Sequence, residues 1–573
     1  MKPEMSMKEI CDMAEIKKHW YKEMAVYQIW PRSFKDGNGD GIGDIKGVME
    51  KLDYIKSIGV DAIWFSPLYK SPQHDYGYDI ADYKSIAPEY GTLEEFKELL
   101  DAAHSKGLRV IMDLVINHTS NEHEWFKESQ KGHDNPYHDY YFWRKGKKAG
   151  GKKPPNNWLS TFAGPGWHYN ENLDEWYLTL FAKEQPDLNM DNPKVREEIK
   201  DIIRFWLDMG VDGFREDVIT FISKKEGLPN GFPIPVACGM EHYKCGPHLD
   251  EYLKEFRTVT DNYDCMTVGE APMMTPKLAL RFIREGANQT LNMMFNFQHM
   301  EADSFMVSWV PMPFSLKKLK NAYNRWQNKL YGIAWNANYI ENHDQPRIIS
   351  RYGDVNYRVE SGKMLATMYI CQSGTPFIYQ GQEIGMVNIK MNSVDDYTDT
   401  QVKSTYQLFK KLGFSDKMFL KIANRASRDN ARTPVQWSAE KNAGFTTADD
   451  AWFRVNPNYT EINVEAAEND ENSILNYYRK LLKFRKENEI CIYGDFKLHY
   501  KNSRNLFVYE RNYEGKRMLV INSFTDKPVH FTVPAGFDLA KGKLVLSNYD
   551  VQQDKTLNSF ETRPYETRVY LFD

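Results

Sequence analysis

The strongest constraint on this 573-residue chain is a strand–helix alternation repeated eight times. The apolar runs are VYQIWPRSF (from Val26), DAIWFSP (from Asp61), RVIMDLVINH (from Arg109), GVDGFREDVI (from Gly210), MTVGEA, TLNMMFNF, AWNANYIENH and TPFIYQGQEIG. Amphipathic stretches such as GVMEKLDYIKSIG, LEEFKELLDAAHSKG and KVREEIKDIIRFWLDMG separate them. Successive strands with a helix between them must run parallel, and a parallel sheet needs both faces covered. Eight such units favour closure into a (β/α)8 TIM barrel, an α/β fold.

Two polar stretches interrupt the alternation. Residues 117–191 are rich in Gly, Pro, His and Trp and are too long for an ordinary loop, which predicts a small inserted domain after the third strand. A second polar stretch, about 388–450, follows the eighth strand and predicts a subdomain. From about residue 494 the pattern becomes short alternating strands (FKLHY, LFVYE, RMLVIN, VHFTV, KLVLSN, TRVYLF), the mark of a C-terminal antiparallel β domain. The expected organisation is a barrel at 1–116 and 192–493, an insert at 117–191 and a β-sandwich domain at 494–573. Both insertions follow C-terminal strand ends, where barrel enzymes build their sites.

Three carboxylates stand at such ends: Asp217 in GVDGFREDVI, Glu270 in MTVGEA and Asp344 in NYIENHD. Alternation along a strand puts Arg215 and Asp217 on one face and Phe214 and Glu216 on the other. A guanidinium on the same face would keep Asp217 ionised, as a nucleophile requires. Neighbouring strands lie about 4.8 Å apart, which brings Asp217 and Glu270 near the roughly 5–5.5 Å separation of retaining glycosidases. Any one of these residues alone would more readily be an ordinary ion-pair carboxylate.

These residues resemble the sequence regions of the α-amylase family, glycoside hydrolase family 13. DLVINH (113–118), GFREDVI, VGEA and ENHDQPR are similar to its first four regions. QPDLN (185–189), RDNARTP (428–434) and SPQHDYGYDI (71–80) resemble the oligo-1,6-glucosidase group within it. The resemblance implies Asp217 as nucleophile, Glu270 as acid/base and Asp344 as the transition-state carboxylate beside His343. It further implies that Asp75 and Arg432 pair to close the pocket, that Tyr78 stacks on the terminal glucose, and that His118 and His343 bind its hydroxyls. A pocket closed at one end admits only a chain terminus, so exo attack on short oligosaccharides is expected. Val218, after the nucleophile, goes with α-1,6 preference in that group. Glu216, Tyr76 and Met190 depart from the group's usual residues.

The loop DGNGDGIGD places Asp36, Asn38, Asp40, the Ile42 carbonyl and Asp44 at EF-hand-like spacing, although Gly47 stands where an EF-hand has Glu. A structural Ca2+, or Mg2+ in its place, is expected there. Histidines 118, 123, 133 and 138 fit no zinc template, and no metal is expected at them.

A net charge of −5 without a basic stripe argues against nucleic acid and anionic lipid as partners. No apolar run is long enough to span a membrane, and MKPEMSMKEICDMAEIKKHW has no signal-peptide h-region. Six scattered cysteines fit free thiols. A cytoplasmic monomer acting on small oligosaccharides is therefore expected. Two rival readings share the scaffold. Sucrose isomerases and other transglucosylases carry an RLDRD-like motif where this chain reads MVSWVPMPFSLKKLK, and transporter heavy chains carry a membrane span and lack the catalytic residues.

Overall fold

The computed structural model describes residues 17–147, 151–305, 307–551 and 558–573. The N-terminal stretch read against a signal peptide, and Cys11 with it, lies almost wholly outside them. The eight apolar runs become strands β1 (Val26–Ile29), β2 (Ala62–Phe65), β3 (Arg109–Leu114), β4 (Gly213–Glu216), β5 (Met266–Glu270), β6 (Met293–Phe295), β7 (Ala337–Asn338) and β8 (Thr375–Tyr379). All pair in parallel, in the order β6-β5-β4-β3-β2-β1-β8-β7. A parallel bridge from Met294 to Asn336 joins β6 to the start of β7 and closes the barrel. The strands are almost fully buried because helices cover one face and the barrel interior fills the other.

Local signals set the helix limits. Leu93–Ser105 begins on a Thr92/Glu95 capping box. Pro193–Met209 begins with an Asn192 cap and Pro193 in its first turn, and it stops at Gly210, whose φ of 110° is open to glycine.

The register carries the chemistry. Asp113 of β3 lies beside Arg215 of β4, and Arg215 lies beside Val268 of β5. Two residues further along, Asp217 and Glu270 emerge together at the C-terminal rim.

Between β3 and the helix Pro193–Met209 sits a three-stranded antiparallel sheet of Trp143–Arg144, Trp167–Asn170 and Glu175–Leu178. Phe142, Trp158, Trp167, Leu178 and Leu180 pack there with Val218 and Phe221 from the β4 loop. The insert is also fastened by a buried polar knot. Lys224 Nζ lies 2.9 Å from Asp187 and 2.9 Å from Asn117 Oδ1, and Asn117 Nδ2 donates to Asp187 at 2.9 Å.

The C-terminal strands form a five-stranded antiparallel sheet and a two-stranded ribbon of Val529–Thr532 and Ser559–Thr562. The second ribbon strand, SFET, went unread in the sequence because it lacks a run of β-branched residues. Arg511, fully buried, donates to the Gly494 carbonyl at 2.6 Å and to that of Cys371, tying this sheet to the barrel. Cys238, Cys245, Cys265, Cys371 and Cys491 are free thiols, as expected. Among the described residues no helix is long and apolar enough to cross a membrane.

Candidate active site

The barrel rim gathers the carboxylates around one cation. Arg215 Nη1 lies 2.7 Å from Asp113 Oδ1 and 2.7 Å from Asp217 Oδ1, and its Nη2 lies 2.6 Å from Glu270 Oε2. Asp217 and Glu270 thus sit on two nitrogens of a single planar fork. The Val218 N–H adds a second contact to Glu270 Oε2 at 3.2 Å. Oδ2 of Asp217 and Oε1 of Glu270 are left for substrate.

Three buried carboxylates face one guanidinium, so the cluster cannot be fully ionised without an uncompensated negative charge. Burial pushes Asp113 up to about 6 despite Arg215. Burial also raises Asp217 well above the usual carboxylate range; Arg215 opposes the rise, and Glu270 and Asp113 add to it. The expectation that Arg215 alone would keep Asp217 ionised is therefore corrected. Burial of the Asp217 carboxyl is the largest effect, and Arg215, the next largest, does not overcome it. Asp113 lay inside the DLVINH match but had no assigned role. Only its lateral pairing with Arg215, a contact between strands remote in sequence, reveals it.

Asp344 follows β7 and is the most open of the three, its side chain 28% exposed. Its Oδ1 lies 2.9 Å from Arg432 Nη2 and 3.3 Å from Arg428 Nη1, and its Oδ2 lies 3.0 Å from His343 Nε2. Burial works to raise it, but His343 and the two arginines overcome this and hold it well below the usual range.

The expected Asp75–Arg432 pair is not the one formed. Asp75 Oδ1 contacts Arg428 Nη2 at 3.0 Å, and Arg428 is held in turn by Asp399 at 2.6 Å. Arg432 reaches across to Asp344 instead. Both arginines occur in RDNARTP, but Arg428 is on the short helical turn Arg428–Asn430 and Arg432 lies beyond it; both meet Asp344, and Arg428 also meets Asp75. Gln185 Nε2 of QPDLN donates to Asp75 Oδ2 at 3.2 Å.

Tyr78 forms the floor with His343. The rings lie 5.2 Å apart and 8° from parallel, and the Trp30 ring lies 5.2 Å from that of His343 and 6.5 Å from that of Tyr78. The Tyr78 hydroxyl lies 2.7 Å from His343 Nε2 and 3.0 Å from Asp113 Oδ2. His343 Nδ1 meets Gln28 Nε2 at 2.8 Å, so that nitrogen accepts and Nε2 carries the proton. His118 Nε2 meets the Tyr78 carbonyl at 3.0 Å, and burial lowers its pKa to about 4, so the ring is neutral. Trp30, Trp64, Gln28, Asp399 and Arg428 were not singled out by the sequence. The two tryptophans and Gln28 belong to barrel strands or their ends, where they read as plain core.

Val218 has φ 34° and ψ 38°, a left-handed conformation costly for a β-branched residue. Its side chain packs into the insert's aromatic cluster, so the residue after Asp217 ties the barrel rim to the insert.

Glu216 faces away from the pocket, as alternation demands. It is 5% exposed and its Oε2 has no hydrogen-bond partner. Burial raises its pKa to about 8, opposed only by the charge of Arg257. The ordinary value is 4.5. Between these two pH values the unfolded chain has lost a proton that the folded chain keeps, so stability falls by about 1.4 kcal/mol per pH unit as pH rises. Glu216→Gln, which cannot titrate, is expected to melt above the wild type by a margin that widens by several degrees from pH 5 to pH 8. A constant margin in thermal melts at the two pH values would remove the unpaired carboxyl from the account.

In the acidic loop, Asp36 and Asp44 are each 2% exposed and neither has a cationic partner among the described residues. Asp36 accepts from the N–H groups of Asn38, Gly39 and Gly41 at 3.0, 2.6 and 2.8 Å. Asp44 accepts from Gly37, Asn38 and Gly47, the last at 2.7 Å. A Cβ at Gly47 would meet the Lys35 carbonyl at 2.0 Å, which explains why no Glu stands there. Asp36 Oδ2 also accepts from the Thr446 hydroxyl, and two buried carboxylates balanced only by neutral dipoles are short of positive charge. The donor set, all oxygen, fits a hard cation.

A family model described as alpha amylase, catalytic domain, matches residues 28–494. The chain is 48% identical to an oligo-1,6-glucosidase of Halalkalibacterium halodurans over 96% of this chain and 99% of that one. Among solved structures it is similar to Bacillus licheniformis trehalose-6-phosphate hydrolase, with TM-score 0.92 and 43% identity, covering 97% of this chain and 100% of that one. It is likewise similar to isomaltulose synthase from Klebsiella sp. LX3, with TM-score 0.92 and 39% identity, covering 97% and 99%.

Proposed function

This chain belongs to the α-amylase family of glycoside hydrolases, and on that premise we propose that it is an exo-acting, retaining α-glucosidase that prefers α-1,6 linkages in short oligosaccharides. The observation that carries the reading is Arg215 holding Asp217 and Glu270 side by side at adjoining strand ends.

In the first step Asp217 Oδ2 attacks the anomeric carbon of the terminal glucose while Glu270 passes a proton to the departing oxygen. Arg215 serves both stages by drawing the negative charge to where the attack begins. In the second step a water, deprotonated by Glu270, enters on the face the leaving sugar vacated and displaces Asp217 from the opposite face, and the two inversions together retain the configuration at the anomeric carbon. Asp344, firmly ionised, faces the sugar ring that gains positive charge in the transition state. Asp75, Arg428 and Arg432 close the far end, and Tyr78 and Trp30 give the terminal sugar a flat apolar floor. The enzyme works in the cytoplasm as a monomer.

Linkage preference follows from Val218. Its branched side chain narrows the approach beside Asp217, and a leaving sugar attached through a flexible CH2 passes it more easily than one attached through its ring. One or two methyl groups are worth about 10–200-fold in specificity. Val218→Ala should shift the ratio of kcat/KM toward maltose over isomaltose by up to about that factor. The proposal is tested by initial rates on isomaltose, maltose, sucrose, trehalose and trehalose 6-phosphate with products resolved. A wild type that prefers maltose or trehalose 6-phosphate, or that mainly isomerises sucrose, would overturn it.

We further propose that Asp36, Asn38, Asp40, the Ile42 carbonyl and Asp44 hold Ca2+, or Mg2+ in its place. The ion would supply the missing positive charge and brace the loop after β1, with no part in bond cleavage. Because a ligand of the folded state raises stability with the logarithm of its concentration, EDTA should lower Tm and added Ca2+ restore it. An unchanged Tm would make the loop a plain acidic turn.

A further inference from the structure

The insert brings together three groups that the sequence left apart. His133 stands in the loop after the helix Glu124–Ser129, His138 opens the short helical turn His138–Tyr140 that follows, and Glu175 opens the strand Glu175–Leu178. One ligand atom from each lies within 4.8 Å of the others. The two imidazole rings lie 4.3 Å apart, and His133 Nε2 is 3.6 Å from Glu175 Oε1.

The surroundings prepare this cluster for a ligand. His138 Nδ1 lies 3.0 Å from the Ser129 carbonyl, so Nδ1 carries the proton and the Nε2 lone pair is free. That is the arrangement which orients a metal-binding histidine. The His138 ring is fixed against Trp143, 5.8 Å away and 16° from parallel. Glu175 is 5% exposed and its Oε2 is buried with no hydrogen-bond partner. A carboxylate oxygen buried without a donor is costly unless something of opposite charge meets it. His133 is 64% exposed along its side chain, which gives solvent ions a way in.

We propose that His133, His138 and Glu175 form a second metal site, selective for a transition-metal dication of the zinc class. Two imidazoles and one carboxylate suit Zn2+ and leave a fourth position for water. Hard cations prefer the all-oxygen loop at Asp36–Asp44, so the two sites sort their metals by donor type. The spacing of histidines 118, 123, 133 and 138 matches no zinc template along the chain. His118 and His123 belong elsewhere, and the third ligand comes from a strand on the far side of the insert. The bound ion would staple the segment carrying His133 and His138 to the hairpin that carries Glu175.

The test is a titration of the full-length, metal-stripped protein with Zn2+ in excess Ca2+, followed by heat, and in parallel with Co2+, followed by visible absorption. One equivalent should bind, the Co2+ spectrum should be that of a four-coordinate site without sulfur-to-metal charge transfer, and Zn2+ should raise Tm. His133→Ala removes an exposed side chain and will fold; it should weaken binding at least about tenfold, the lower end of what loss of even a supporting group costs. Glu175→Gln should do the same and abolish the Tm gain. The proposal falls if no Zn2+ binds, if both variants bind as the wild type does, or if a thiolate signature places the ion on cysteine.

Discussion

Asp217→Ala is expected to lower kcat/KM on isomaltose by at least about 10,000-fold, which at 1.4 kcal/mol per factor of ten is about 5–6 kcal/mol of transition-state stabilisation. The fold should survive, since the substitution removes one of three carboxylates that repel one another around Arg215 and leaves Asp113 and Glu270 on it. With the nucleophile gone, azide can enter from the vacated face. An aryl α-glucoside with a good leaving group should then give the β-glucosyl azide, since displacement without a covalent intermediate inverts the anomeric carbon. The decisive measurement is single-turnover hydrolysis with and without azide, with the anomer assigned by NMR. Substantial hydrolysis in the variant, or an α-azide product, would remove Asp217 from the nucleophile's place.

Arg428→Gln is expected to cost about 3–5 kcal/mol of stability, the range for breaking a buried ion pair and stranding its partner. Two carboxylates would be stranded here, because Arg428 holds Asp399 through Nε at 3.0 Å and Nη2 at 2.6 Å while also meeting Asp75. Activity should fall with it, since Asp75 would no longer be held at the pocket's closed end. The assignment of Asp75 to Arg428 can be separated from the alternative by double-mutant cycles. Asp75→Asn combined with Arg428→Gln should show a coupling of about 1–3 kcal/mol, and combined with Arg432→Gln a clearly smaller one. The reverse order would restore Arg432 as the partner of Asp75.

Both predictions rest on contacts of different legibility. That Asp217 and Glu270 would meet could be read from GFREDVI and MTVGEA, because neighbouring parallel strands with matched ends must present their last residues together. That Arg428 rather than Arg432 would meet Asp75 could not. The two arginines are one helical turn apart in the same motif, and only the placing of the turn Arg428–Asn430 against the insert decides which reaches which acid. Asp113 shows the same limit. The residue was in view, but its charge matters through Arg215, which comes from the next strand and arrives beside it only when the barrel closes.

The sequence by itself determined the barrel, the insert after its third strand, the antiparallel domain at the end, and the rim positions of Asp217, Glu270 and Asp344. These follow from periodicity and local punctuation, which act over a few residues and survive any packing that buries the apolar faces. The tertiary structure alone decided the sharing of Arg215 among three carboxylates, the pairing of Asp75 with Arg428, the unpartnered burial of Glu216, and the meeting of His133, His138 and Glu175. Each of these is an electrostatic relation between side chains brought near by different segments. Charge interactions depend on distance and local dielectric, and neither exists until the chain has folded.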